Sequence, residues 1–115
     1  MTASRDNPDN FERRRYPRIQ VHVQVELQSG ESIAPFRTKT SDLSLGGCYV
    51  ETMFALEIGA GVMLTLWLND EQIQSAGTVA THHPQVGNGF EFIDMTAEHR
   101  LKLTNYITAY EHANT

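Results

Sequence analysis

Arg13-Arg14-Arg15-Tyr16-Pro17-Arg18 gathers four of the chain's nine Lys and Arg residues into six positions. The rest of the chain carries five basic residues against 14 Asp and Glu, a balance of −9. One basic knot on an acidic body suits the capture of a compact anion. The guanidinium stays charged, grips phosphate with two parallel hydrogen bonds and stacks on flat rings. It also pairs bidentately with the O6 and N7 edge of guanine. Asp42-Leu43-Ser44-Leu45-Gly46-Gly47 is the second chemically suggestive group. Asp42 is an acceptor, which a bare phosphate pocket should avoid. It implies a ligand that also offers donors, such as the N1–H and exocyclic amine of guanine. Ser44 can donate to phosphate or accept from a base. Gly46 and Gly47 let the backbone approach closely or take positive φ. Together these residues describe a site for a guanine nucleotide.

The elements between and after them must bring the two groups together. Ile19, Val21, Val23, Val25 and Leu27 alternate with Gln20, His22, Gln24 and Glu26, the pattern of a strand with one buried face. Ser29-Gly30-Glu31 supplies a turn. A second extended run covers residues 32–40, where Pro35 points to an edge or a bulge. Residues 41–47 are rich in turn formers. Short strands are predicted at 48–53, 62–68, 72–82 and 89–93, with Tyr49 and Glu51 facing away from Cys48 and Val50. Asn69-Asp70-Glu71 closes a hairpin, and Gly77 breaks the return strand. Thr96 predicts a helix N-cap, with Glu98 in the first turn where the helix dipole favours an acid. Leu103, Ile107 and Tyr110 form its apolar stripe, flanked by Leu101 and Ala97. The expected architecture is mainly β, a small antiparallel barrel capped by the terminal helix.

A chain of 115 residues reads as one domain that folds without a disulfide or metal. Residues 1–11 are polar and contain Pro8, the composition of a flexible N-terminal tail, which leaves 12–112 as the folded domain. Pro17 disfavours helix at Tyr16, so the knot is extended or turning. An extended backbone then separates Arg14 and Arg18 by up to about 14 Å, close enough for both to reach one ligand. A net charge of −5 and a pI near 5.4 argue against a protein that coats nucleic acid. The single cysteine, Cys48, excludes an intramolecular disulfide and suggests a reducing compartment. No apolar run is long enough to span a membrane, and the N-terminus lacks the apolar core of a signal peptide. These features predict a cytoplasmic protein.

At the two groups the chain resembles the PilZ domain family. Arg14-Arg15-Tyr16-Pro17-Arg18 matches its R-x-x-x-R motif, and Asp42-Leu43-Ser44-Leu45-Gly46-Gly47 its [D/N]-x-S-x-x-G motif. Gly87-Asn88-Gly89-Phe90-Glu91-Phe92 is similar to the family's late glycine-then-aromatic strand. The segment after Thr96 is similar to its C-terminal helix. No motif position departs from the pattern. The resemblance implies a β-barrel of about six strands that binds cyclic di-GMP without catalysis, cofactor or metal. Residues matching Arg14 and Arg18 would engage phosphates and guanine edges. Asp42 and Ser44 would contact guanine and ribose-phosphate, and Gly46 and Gly47 would leave the turn open. Arg13 is expected to add a contact. Ligand would order the N-terminal segment and so signal to a downstream protein partner, with motility or biofilm regulation the implied setting and a monomer or homodimer the implied state.

Other readings of the same residues are weaker. Asp42 and Ser44 alone describe a turn with side-chain-to-backbone hydrogen bonds. His82 and His83, adjacent on a strand, point to opposite faces and do not share a metal. Nothing places a histidine beside Ser44 for nucleophilic catalysis. Cys48 reads as a small buried residue, and Trp67, Phe90 and Phe92 as packing. Two rival functions are a barrel adaptor that ignores nucleotide and a small barrel binding single-stranded nucleic acid.

Overall fold

Each predicted strand has one apolar row to hide, and a closed sheet hides all of the rows at once. The computed structural model describes residues 16–29 and 34–113. Its strands are β1 (Gln24–Ser29), β2 (Phe36–Leu43), β3 (Gly47–Glu51), β4 (Gly61–Leu68), β5 (Glu71–His83) and β6 (Gly87–Asp94), followed by helix α1 (Ala97–Ala113). Every pairing is antiparallel, and the order β1-β2-β3-β6-β5-β4 closes because β1 also pairs with β4. Val25, Val50, Leu64, Leu66, Ile73 and Val79 point inward and are almost wholly buried. Leu103 and Ile107 of α1 join the same core. Burying each such side chain contributes about 1.5–3 kcal/mol, so these rows decide which face of each strand turns inward.

The first strand begins later than its alternation predicts. Residues 19–23 keep the pattern, with Ile19 and Val23 buried, but form no regular ladder. Ile19 makes a single bridge to Leu43, its N–H donating to the Leu43 carbonyl and its carbonyl accepting from Leu43, both at 2.9 Å. Thr40 holds much of the remainder. Its hydroxyl donates to the Val21 carbonyl at 2.7 Å and accepts from the Val23 N–H at 3.1 Å. The Thr40 N–H donates to the Val23 carbonyl at 3.0 Å. A side chain has thus taken ladder positions that backbone would otherwise fill.

Pro35 lies just outside β2, since it has no N–H for a ladder and a closed barrel offers no edge. The irregularity falls instead between Thr40, which pairs with Val50, and Asp42, which pairs with Tyr49. This bulge changes the facing of the strand. Thr40 and Leu43 are both fully buried although three residues apart, and Asp42 is turned outward. Gly77 does not break β5, which runs on through a register shift between Ala76 and Gly77. A Cβ at Gly77 would stand 2.7 Å from Leu64 Cδ1, so glycine serves close packing there. Asn69-Asp70 forms the β4–β5 hairpin, with Asn69 at φ 60° as such two-residue turns require. Thr96 caps α1, its hydroxyl accepting from the His99 N–H at 3.2 Å. Leu101 faces outward, 61% exposed. The expected tail over residues 1–11 lies outside the described residues.

Candidate functional site

The bulge ends β2 with Asp42 outward, and the chain then turns tightly into β3. Ser44 organises that turn. Its N–H donates to the Gly47 carbonyl at 2.9 Å, and its hydroxyl accepts from the Gly46 and Gly47 N–H groups at 3.0 and 3.2 Å. The side-chain-to-backbone pattern expected of an isolated turn is therefore present. The Gly46 carbonyl accepts from the Phe92 N–H at 2.9 Å, which fastens the turn to β6.

Neither Gly46 nor Gly47 takes a positive φ; among the described glycines only Gly59 does. What they provide is close approach. A Cβ at Gly46 would lie 2.7 Å from Tyr16 Cδ2, and one at Gly47 would overlap the Phe90 carbonyl oxygen. Glycine 46 lets the Tyr16 ring settle over the turn, and glycine 47 lets β3 and β6 approach.

These residues line a depression of about 340 Å³ that runs over the outer faces of β3, β6 and β5. It falls at the small end of ligand sites, which span about 300–1,000 Å³. Arg18, Asp42, Ser44, Gly46 and Gly47 all border it. Arg13 and Arg14 lie outside the described residues. Arg18 Nη1 stands 3.6 Å from Asp42 Oδ2, with the arginine side chain 49% exposed. A pair this long and this wet contributes at most about 1 kcal/mol. Burial, and then the nearby Asp42 carboxylate, push the Cys48 thiol and the Tyr49 phenol up from their ordinary values. Cys48 is thus a neutral, buried thiol, as its apolar setting suggested.

The two motifs give the remaining lining residues no ligand role. Tyr16, Tyr49, Thr81, Gly89 and Glu91 also border the depression. Tyr16 sits inside the arginine motif, and Tyr49 was expected to face outward, so both carried a signal. Thr81 carried none and Glu91 only its place in the late glycine-then-aromatic strand, because both reach the site through strand register. The role of Asn88 is likewise set by register. It is fully buried, its amide donating to Thr52 Oγ1 at 2.7 Å and the Phe54 carbonyl at 3.0 Å while its oxygen accepts from the Leu56 N–H at 2.8 Å. It staples the loop after β3. His82 and His83 diverge as expected, His82 to the Leu56 carbonyl and His83 to the Tyr49 hydroxyl. Among the described residues no three His, Cys, Asp or Glu side chains gather as metal ligands, and no helix is long and apolar enough to cross a membrane.

A closed six-stranded barrel with one C-terminal helix is the architecture of PilZ domains, and this chain belongs to that family: the PilZ domain model matches residues 12–109. Among solved structures, the Bacillus subtilis inhibitor of motility MotI/DgrA aligns with TM-score 0.79 and 19% identity over 90% of this chain and 53% of its own. The chain therefore spans about half of that protein. The PilZ domain of YcgR from Escherichia coli, solved with c-di-GMP, aligns with TM-score 0.72 and 17% identity, covering 89% of this chain and 94% of that one. The PilZ domain of CeSA from a cellulose-synthesizing bacterium aligns with TM-score 0.66 and 20% identity, covering 84% and 99%. No curated protein matches the chain by sequence.

Proposed function

We propose that this protein is a non-enzymatic, cytoplasmic receptor for cyclic di-GMP. The observation that carries the reading is the convergence of Arg18, Asp42 and the Ser44–Gly47 turn on one outward depression. The wet, 3.6 Å contact of Arg18 with Asp42 is cheaply exchanged for a phosphate. A charge-assisted hydrogen bond to phosphate contributes about 1.5–3 kcal/mol, more than the contact it replaces. Asp42 then accepts from the guanine N1–H and amine. Ser44 supports a binding role over a catalytic one, because its hydroxyl is engaged with the backbone of its own turn. Arg13 and Arg14 supply the further cations that a doubly charged ligand needs. Ordering of the arginine segment over the bound nucleotide presents a new surface to a protein partner. Membership of the PilZ family and the nucleotide in the YcgR structure support the choice of ligand.

Titration calorimetry tests this. Cyclic di-GMP should bind the wild type, and Arg18→Ala should bind about 10- to 150-fold more weakly, the equivalent of one lost charge-assisted bond. No heat with the wild type would overturn the proposal in favour of the adaptor reading. That alternative draws on the exposed edge-to-face pair of Phe36 and Phe54, with ring centroids 5.0 Å apart, and on neighbouring Met53, 74% exposed.

A further inference from the structure

Tyr49 is held in the depression from both ends, yet neither the turn nor the core uses its ring. Its backbone pairs with Asp42 on one side and with Gly89 on the other. Its ring lies over space that two absent side chains leave open. A Cβ at Gly87 would stand 2.7 Å from Tyr49 Cε2, and one at Gly89 3.4 Å from Cδ1. At the far end the hydroxyl meets His83 Nδ1 at 2.9 Å, and the two rings are 5.9 Å apart. The ring borders the same depression as Arg18 and Asp42. A flat ring, fixed at its hydroxyl and set beside an acceptor and a cation, offers a plane for a nucleobase at little further loss of side-chain freedom.

We propose that Tyr49 is a base-stacking residue of this site. One guanine lies on its ring while Asp42 reads the base edge and Arg18 holds a phosphate. The inference rests on the receptor reading above. Stacking on tyrosine needs the ring and not the hydroxyl, which separates it from a purely polar contact.

Cyclic di-GMP is titrated into the wild type, Tyr49→Leu and Tyr49→Phe by calorimetry, and the guanine H8 resonance of the ligand is followed by NMR. Leucine still covers Gly87 and Gly89, and circular dichroism melting checks that the variant is folded. The expected result is about 5- to 160-fold weaker binding for Tyr49→Leu with loss of the upfield ring-current shift of H8. Tyr49→Phe should stay within about twofold and keep that shift. Wild-type binding with an unshifted H8, or equal affinity in Tyr49→Leu, overturns this inference and leaves the receptor reading standing. A loss in Tyr49→Phe as large as in Tyr49→Leu also overturns it, because the hydroxyl would then be the contact. Absence of wild-type binding removes both.

Discussion

Replacing Thr40 tests the link between the barrel and the segment that carries Arg18. Thr40 is fully buried, and its hydroxyl serves the Val21 carbonyl and the Val23 N–H at once. Valine has nearly the same shape but no hydroxyl. Thr40→Val therefore removes two hydrogen bonds worth about 1 kcal/mol each, and leaves two backbone groups poorly solvated at about 1–3 kcal/mol apiece where water cannot reach them. Part of that is recovered by water at the open side of the segment, so a net loss of about 2–4 kcal/mol is expected. Thr40→Ser keeps both bonds and gives up one methyl, a loss of about 1 kcal/mol. The isosteric change should thus be the more damaging one, the reverse of what packing alone would give. Urea unfolding followed by the single tryptophan, Trp67, measures both. With a urea slope of about 2 kcal/mol per M, the middle of the usual range for small proteins, Thr40→Val should lower the midpoint by about 1–2 M at unchanged slope. If valine proves no more destabilising than serine, the hydroxyl does not hold residues 19–23 and the argument fails.

Two further outcomes follow from buried polar groups. Asn88→Ala should destabilise by about 2–4 kcal/mol and lower the melting temperature by about 10–20 °C in calorimetry, since three hydrogen bonds to the loop after β3 are lost together; a drop under about 3 °C would show that the loop holds itself. Cys48 gives a pH dependence. The folded thiol keeps its proton above the ordinary value of 9.0 while the unfolded one releases it. Its contribution is therefore full below about pH 8.5 and is lost as pH rises, by about 1.4 kcal/mol per pH unit. Between pH 8 and 10 the wild type should lose about 1.4 kcal/mol more stability than Cys48→Ala in urea titrations. Equal losses would refute the burial argument.

Much of this molecule is legible in its sequence because it depends on local pattern. The strand rows from Val25 to Phe92 follow from period-two alternation, and α1 follows from its Thr96 cap and the Leu103–Ile107 stripe. Arg18 and the Asp42–Gly47 motif, which border the depression, follow from residue type and order. What the tertiary structure decided is which way those residues face. Asp42 would share the buried face with Thr40 if alternation continued, and the bulge opposite Tyr49 turns it out to the site. The two motif glycines were open to two readings, and only the approach of Tyr16 and of the Phe90 carbonyl selects close packing over positive φ. Thr81, Glu91 and Asn88 take their roles from neighbours across the sheet. Side-chain facing in a strand is set by register against its partners, and register belongs to the closed barrel as a whole.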